Sequence, residues 1–388
     1  MKKLLIGMVL FCSFLYSDSF DEYLKSFDYE ARKEMKIKIA EIIQKIKPVN
    51  FKLMEKAQKK LDNLTKPQGS LGKLEDFARR IVGISATLSP TIKRKVIFVM
   101  AGDHGVAEEG VSAYPQEVTF QMVYNFIRGG AGINVLAKHI GAEILVVDMG
   151  VAKEFPPEKG LIIKKIAYGT KNIAKGPAMS KDEAERAIIA GIEVFEGELS
   201  RKGIDIIGLG EMGIANTTPS SAIVACLTKS KAEEVTGRGT GIDEKQLKNK
   251  IRVIKQAIEV NLPNPEDGLD VLSKIGGFEI GGLVGCILAA ASHRVPIVID
   301  GFISCASALI AIRLAPLAKN YIFASHNSVE KGHKIALKYI GKVPMFDLGM
   351  RLGEGTGAAL GISFVDAGVK ILTQMATFAD AGVDEISR

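Results

Sequence analysis

Short continuous apolar runs recur along the chain at KVIFVM (95–100), AEILVVDM (142–149), IDIIGL (204–209), VPIVID (295–300), NYIFAS (320–325) and VPMFDL (343–348). Between them lie stretches of helical periodicity, such as SKDEAERAIIAGIEVFEGEL and EKQLKNKIRVIKQAIEV. Strands apolar on both faces and alternating with helices predict an α/β fold, with a mostly parallel sheet covered on both sides. Residues before 90, and the end of the chain, read as helices only. The expected division is an N-terminal extension over 1–34, a helical segment over 35–90, an α/β domain over 91–365, and a helical segment over 366–388. The two helical ends are expected to pack together as a small domain.

Nearly every predicted strand ends in polar or glycine-rich residues: AGDHG, Asp148, GLGEMG, Asp300, SHNS and GMRLGEGTG. Ligands of open parallel sheets bind at the carboxyl ends of the strands. An active site should therefore collect Asp103, His104, Glu211, Asp300, Ser325 and Glu354.

The stretch GLGEMGIANTTPSSAI contains G-x-G-x-x-G at Gly208, Gly210 and Gly213. A dinucleotide fingerprint needs its third glycine at a helix start and an acid about 20 residues on. Here the chain continues Ile-Ala-Asn-Thr-Thr-Pro, so the helix is expected to begin at Pro219 with Thr218 as its cap. Glu211 would also put a carboxylate beside phosphates. The stretch reads instead as a single-phosphate site, with Gly210 and Gly213 giving close backbone approach and Asn216, Thr217 and Thr218 at a helix N-terminus; a plain capping turn with a solvated acid is the alternative. TGRGTG (236–241) offers an anion nest at Gly239, Thr240 and Gly241, with Arg238 or Lys250 adding charge, ahead of a helix capped by Asp243 and Gln246. Glu354, flanked by Gly353 and Gly355, can serve as a general base or pair with a cation. His326, Glu330 and His333 at i, i+4 and i+7 could share a helix face, but no further ligand cluster accompanies them and no metal site is expected.

Composition narrows the partners. The net charge of +7 is spread along the chain with interleaved acids rather than gathered in a block, which favours small anionic ligands over nucleic acid. Cys12, Cys226, Cys286 and Cys305 are far apart in apolar sequence and read as reduced thiols. The N-terminus conflicts with a reducing compartment. A Lys-Lys start, an apolar run from Leu4 to Tyr16 and Ser17 read as a secretory signal, too short for a membrane span, or as sequence upstream of a true start at Met35. The second reading is preferred, and a cytoplasmic enzyme is expected. With no G-x-S-x-G elbow or Walker loop, a nucleophilic hydrolase or a nucleotide triphosphatase is poorly supported.

LTKPQGSLGKLE (64–75), AGDHGVAEEGVSAYPQEVT (101–119), GEMGIANTT (210–218), TGRGTG (236–241), GGFEIGGLVG (276–285), IDGFIS (299–304), SHNSVEKGH (325–333) and RLGEGTGAAL (351–360) occur in one order. Together they resemble the nicotinate-nucleotide:dimethylbenzimidazole phosphoribosyltransferases, from about Met35 to near the C-terminus. The resemblance implies a homodimer with a Rossmann-like large domain and a small helical domain, needing no metal or redox cofactor. Its implied substrates are nicotinate mononucleotide and 5,6-dimethylbenzimidazole or a related base, and its products α-ribazole 5′-phosphate and nicotinate. It puts Glu354 at the general-base position, Glu211 and Gly213 in the ribose-phosphate segment, and Lys250 and Ser328 at the phosphate. With Asn216, Thr217, Thr218, Arg238, Gly239, Thr240, Gly241, Asp300 and Ser325 they make up the expected phosphate and ribose site. Gln116 and Leu352, with Asp103 and His104, are expected near the base. Ala215 stands where glycine is expected.

Overall fold

The computed structural model describes residues 34–384. The chain divides into two units, Met1–Glu41 and Ile42–Arg388. Of the first, residues 34–41 are described and are helical; the signal-like run lies outside the described residues. In the second, six parallel strands form one sheet: β1 (Lys95–Gly102), β2 (Glu143–Gly150), β3 (Leu161–Ile163), β4 (Ile206–Met212), β5 (Ile297–Ile299) and β6 (Ile322–Ala324), in the order β3-β2-β1-β4-β5-β6. Strand order reverses between β1 and β4, which opens a crevice at their carboxyl ends.

The sheet is covered on both faces because its strands are apolar on both. Side chains alternate along a strand, so Ile97 and Met100 of β1 point to opposite faces. Met100 lies beneath Gly282 of the helix Phe278–Ser292, and Ile97 beneath Gly355 at the start of the helix Thr356–Gln374. The latter is the described helix long and apolar enough to cross a membrane, yet it packs on β4 and on the helix Lys73–Ser85. The helices near the two ends of this unit meet: Ala57, Leu61, Leu64, Ala78, Val82 and Leu372 form one buried cluster, and Leu64 bridges Thr377. The limit drawn at 365 falls inside the helix Thr356–Gln374.

Three local expectations are corrected. VPMFDL (343–348) is not a strand. Pro344 has no N–H to give a ladder, Val343 and Leu348 are exposed, and only Phe346 makes a bridge, to His326. The sixth strand is instead β3, three residues long and too short to stand out by pattern. The helix after β4 begins at Thr217 rather than Pro219, with Asn216 in the cap position.

GGFEIGGLVG is a packing motif. The helices Lys181–Lys202 and Phe278–Ser292 cross backbone against backbone, and a Cβ at Gly285 would lie 2.0 Å from the Ile188 carbonyl oxygen; one at Gly191 would lie 2.0 Å from that of Gly282. Alanine in a helix gains about 1 kcal/mol over glycine, but forcing these axes apart costs about 1–3 kcal/mol, and the clash here is with backbone that cannot rotate away. Gly285→Ala is therefore expected to lower the urea midpoint, with a net loss of up to about 2 kcal/mol; an unchanged or raised midpoint would show that the crossing relaxes freely.

Candidate active site

A cavity of about 800 Å³ opens beyond the carboxyl ends of β4, β5 and β6. Its walls come from residues 211–217 at and beyond the end of β4, 301–303 after β5, His326, Ser328 and Glu330 after β6, and 351–354 before the last long helix. Tyr114, Val118 and Met122 add an apolar wall.

The glycines of G-x-G-x-x-G are spent on bringing this site together. Gly208 and Gly210 lie within β4, not in a turn, so they do not form a dinucleotide loop. A Cβ at Gly210 would sit 2.2 Å from the Glu354 carbonyl oxygen, and one at Gly213 would sit 2.3 Å from that of Gly102. Bare backbone at Gly210 lets the Glu354 loop lie directly on β4. Residues 353–355 all have left-handed backbone, with φ of 86°, 62° and 92°. Glycine adopts this conformation freely on either side, whereas Glu354 in the middle is strained.

The Glu354 carboxylate accepts the Ile133 N–H at 3.1 Å, at the N-terminus of the helix Gly132–Ile140. Burial raises its pKa above the ordinary value, while the Ile133 and Gly132 amides pull it down. Glu211, at the end of β4, is pushed up to about 8 by burial and then by Asp300 and Glu279, against a hydrogen bond from Asn216 Nδ2. Of the three carboxyl groups that line the cavity, Glu211, Glu330 and Glu354, Glu211 holds its proton to about 8, and Glu354, turned to the start of a helix, is the candidate base.

Opposite in character is the cradle formed by Thr217, Gly239, Thr240 and Ser328. Lys250 is fully buried immediately behind it and donates to Thr217 Oγ1 at 2.6 Å. Burial pushes Lys250 down to about 8, with Glu330 opposing. Glu330 accepts the Gly239 N–H at 3.0 Å.

Several expected site residues point elsewhere. Asp300 is turned into the protein, its oxygens accepting the amides of Gly355 (3.1 Å), Gly357 (2.6 Å) and Ala358 (3.0 Å); burial pushes it up to about 7, against those amides. Ser325 lies behind the wall and donates to the Asp300 carbonyl. Thr218 is buried outside the cavity. Arg238 turns to solvent, bonded to Ile242 O and Glu244, and Gly241 does not reach the cavity. Asp103 accepts the Ala152 N–H, and His104 is buried behind Gly213 with its Nε2 2.8 Å from Glu279 Oε1. Burial opposes charge on His104, but Glu279 and Asp103 outweigh it and raise its pKa. Gln116 precedes the helix Glu117–Arg128 without lining the cavity, although Val118 and Met122 of that helix do; Leu352 lines it and is exposed. His326 and Glu330, read from sequence only as weak metal ligands, line the cavity, but the helix starts at Lys331, so the proposed helix face with His333 does not exist.

The phosphoribosyltransferase family model matches residues 46–383. The nicotinate-nucleotide–dimethylbenzimidazole phosphoribosyltransferase of Geobacter sulfurreducens is 55% identical over 347 residues, covering 89% of this chain and 98% of the relative. The enzyme of the same name from Geotalea uraniireducens is 58% identical over 350 residues, with the same coverage. The chain belongs to this phosphoribosyltransferase family. The crystal structure of the Thermus thermophilus member superimposes with a TM-score of 0.82 at 40% identity, covering 87% of this chain and 99% of the other. The Rossmann-like fold expected from the resemblance is thus the fold of the family.

The state of Glu211 has a thermodynamic consequence. In the unfolded chain it ionises near its ordinary 4.5, while in the folded enzyme it holds its proton to about 8. Between those values the folded state binds more protons, so this group lowers stability as pH rises from about 5 to about 8. Glu211→Gln should remove that loss. The melting temperature of the variant relative to wild type should climb across the window, and a constant difference would mean that Glu211 is ionised in the folded enzyme.

Proposed function

We propose that this enzyme transfers the ribose 5-phosphate of nicotinate mononucleotide to 5,6-dimethylbenzimidazole or a related base. The products are α-ribazole 5′-phosphate and nicotinate, the lower-ligand step of cobalamin biosynthesis. The observation that carries the reading is a strained, buried carboxylate, Glu354, in the same cavity as a cradle backed by a buried lysine.

The chemistry balances with these groups alone. The C1′–N bond to nicotinate breaks with its electron pair moving onto the pyridinium nitrogen, which loses its positive charge and needs little acid assistance. One azole nitrogen attacks C1′ while the other loses its proton to Glu354; removing that proton is worth on the order of a hundredfold or more. Direct displacement inverts the anomeric centre from β to α. Thr217, Gly239, Thr240 and Ser328, with Lys250 behind them, suit the 5′-phosphate, and fixing it holds the ribose for in-line attack. Tyr114, Val118, Met122 and Leu352 suit a flat apolar base. Glu211, protonated near neutrality, suits a hydrogen-bond donor. Tyr114 and Leu352 line the cavity yet stay more than half exposed, which supports a homodimer in which the second copy covers them. A cytoplasmic location is part of the same proposal.

Nicotinate should appear only when nucleotide and benzimidazole are both supplied. Glu354→Gln should lower kcat by about a hundredfold or more with nucleotide binding retained, and full activity in that variant would overturn the assigned base. In wild type, kcat/KM should rise with pH through a step above the ordinary carboxylate range, as the raised pKa of Glu354 in the free enzyme requires; the step should vanish in Glu354→Gln. Glu211→Gln keeps a donor and should lose less activity than Glu354→Gln.

A further inference from the structure

His326, two residues beyond the end of β6, is buried yet lines the cavity. The ring is packed on two sides. It stacks on Phe346 with centroids 5.9 Å apart and planes at 23°, and a Cβ at Gly357 would lie 2.0 Å from its Nδ1.

Hydrogen bonding fixes which nitrogen carries the proton. Ser325 Oγ lies 2.9 Å from His326 Nδ1 and 3.0 Å from the Asp300 carbonyl oxygen. A backbone carbonyl can only accept, so the single hydroxyl proton of Ser325 goes to Asp300. Ser325 Oγ must then accept from Nδ1–H. Asp300 Oδ1, 3.9 Å from Nδ1, favours a proton at the same place. Nε2 is left with a lone pair and has no protein donor among the described residues. Burial pushes His326 down to about 4, with Asp347 opposing, so the ring is neutral at physiological pH. Nε2 faces open space: a Cβ at Gly301 would lie 3.8 Å from it and 4.0 Å from Ser328 Oγ, and Gly301 has none.

A lone pair in the cavity wants a donor from the ligand. The proposed nucleotide offers few. Its phosphate and carboxylate oxygens are acceptors that a lone pair repels, and the azole N–H belongs to Glu354. The ribose hydroxyls remain. We infer that His326 Nε2 accepts a hydrogen bond from the 2′- or 3′-hydroxyl of the bound nucleotide, making His326 a residue that selects ribonucleotides over deoxyribonucleotides. This rests on the phosphoribosyl reading of the cavity.

Two measurements test it. Nitrogen NMR of histidine-labelled wild-type enzyme should show His326 as the Nδ1–H tautomer, with its Nε2 resonance moving when nicotinate mononucleotide binds and staying put with the 2′-deoxy or the 3′-deoxy analogue. An Nε2–H tautomer would overturn the inference. In kinetics, wild type should prefer the ribonucleotide over one of the two deoxy analogues by about tenfold or more in kcat/KM. His326→Asn keeps a group at Nδ1 but retracts the acceptor and should erase that preference, whereas His326→Gln, whose oxygen reaches the Nε2 position, should restore part of it. Equal losses on ribo and deoxy substrates in His326→Asn would mean a structural role only, and would sink the inference. Should wild type release no nicotinate at all, the proposed reaction fails, while the resonance of Nε2 in the nucleotide-bound enzyme still decides whether His326 accepts.

Discussion

The grip of the Asp300 carboxylate on the amides of Gly355, Gly357 and Ala358 is the interaction on which the site depends. A helix beginning inside a protein leaves its first N–H groups without partners, and the helix Thr356–Gln374 begins against the sheet, where water is excluded. A carboxylate from the end of β5 satisfies three of those groups at once. That fixes the helix start and, with it, the residue immediately before Gly355, which is Glu354. Asp300 also receives the Ser325 hydroxyl on its own carbonyl, so the tips of β5 and β6 and the start of the last long helix are tied at one residue. Capping Ser/Thr/Asn/Asp side chains are commonly worth about 1 kcal/mol; the larger effect here is positional, because the candidate base rides on the capped turn.

This arrangement crowds carboxyl groups. Glu211 and Asp300 both carry raised pKa values, with burial as the first cause, and Asp300 and Glu279 lift Glu211 further. Holding a proton on Glu211 removes one negative charge from the cavity, where Glu354 is the candidate base. Lys250 lies behind the cradle, and Glu330, which accepts the Gly239 N–H, opposes the lowering of its pKa. A lysine at the surface would be screened and mobile, whereas one packed against Thr217 Oγ1 holds its charge in place at the cost of a lowered pKa.

Much of this was legible in the sequence, with one systematic blind spot. Strands buried on both faces announce themselves as continuous apolar runs, so five of the six were readable, and their polar tips gave the end of the sheet where the cavity lies. Glu211, Asn216, Thr217, Gly239, Thr240, Ser328, Leu352 and Glu354 do line it. Direction was not readable. Asp300, Ser325, Asp103 and His104 stand at strand tips as expected, yet each turns toward a backbone amide, a carbonyl or a buried partner, because a polar side chain at a strand end can satisfy the protein as well as a ligand. Arg238 likewise turns outward to Glu244. The apolar wall of Val118 and Met122 was invisible for the opposite reason: two apolar residues one helical turn apart look the same whether they face a core or a cavity.

Backbone strain is distributed along the same lines. Six described residues other than glycine have positive φ: Ala86, Ala215, Lys229, Leu262, Arg294 and Glu354. Ala86, Lys229 and Leu262 are helix C-caps, and Arg294 follows the end of the helix Phe278–Ser292. A left-handed residue there closes a helix and satisfies its last carbonyls. Ala215 and Glu354 have no such excuse. Both line the cavity, both are buried, and each costs about 1–2 kcal/mol relative to glycine. Glu354 cannot be glycine if its carboxylate is to act, so the strain is carried by flanking glycines and by the Asp300 cap. The two strained turns sit on the loops after β4 and before the last long helix, next to Glu211 at the end of β4 and at Glu354 itself. Strain placed there, and nowhere else in the described structure outside helix ends, is what a site built to hold one conformation would show.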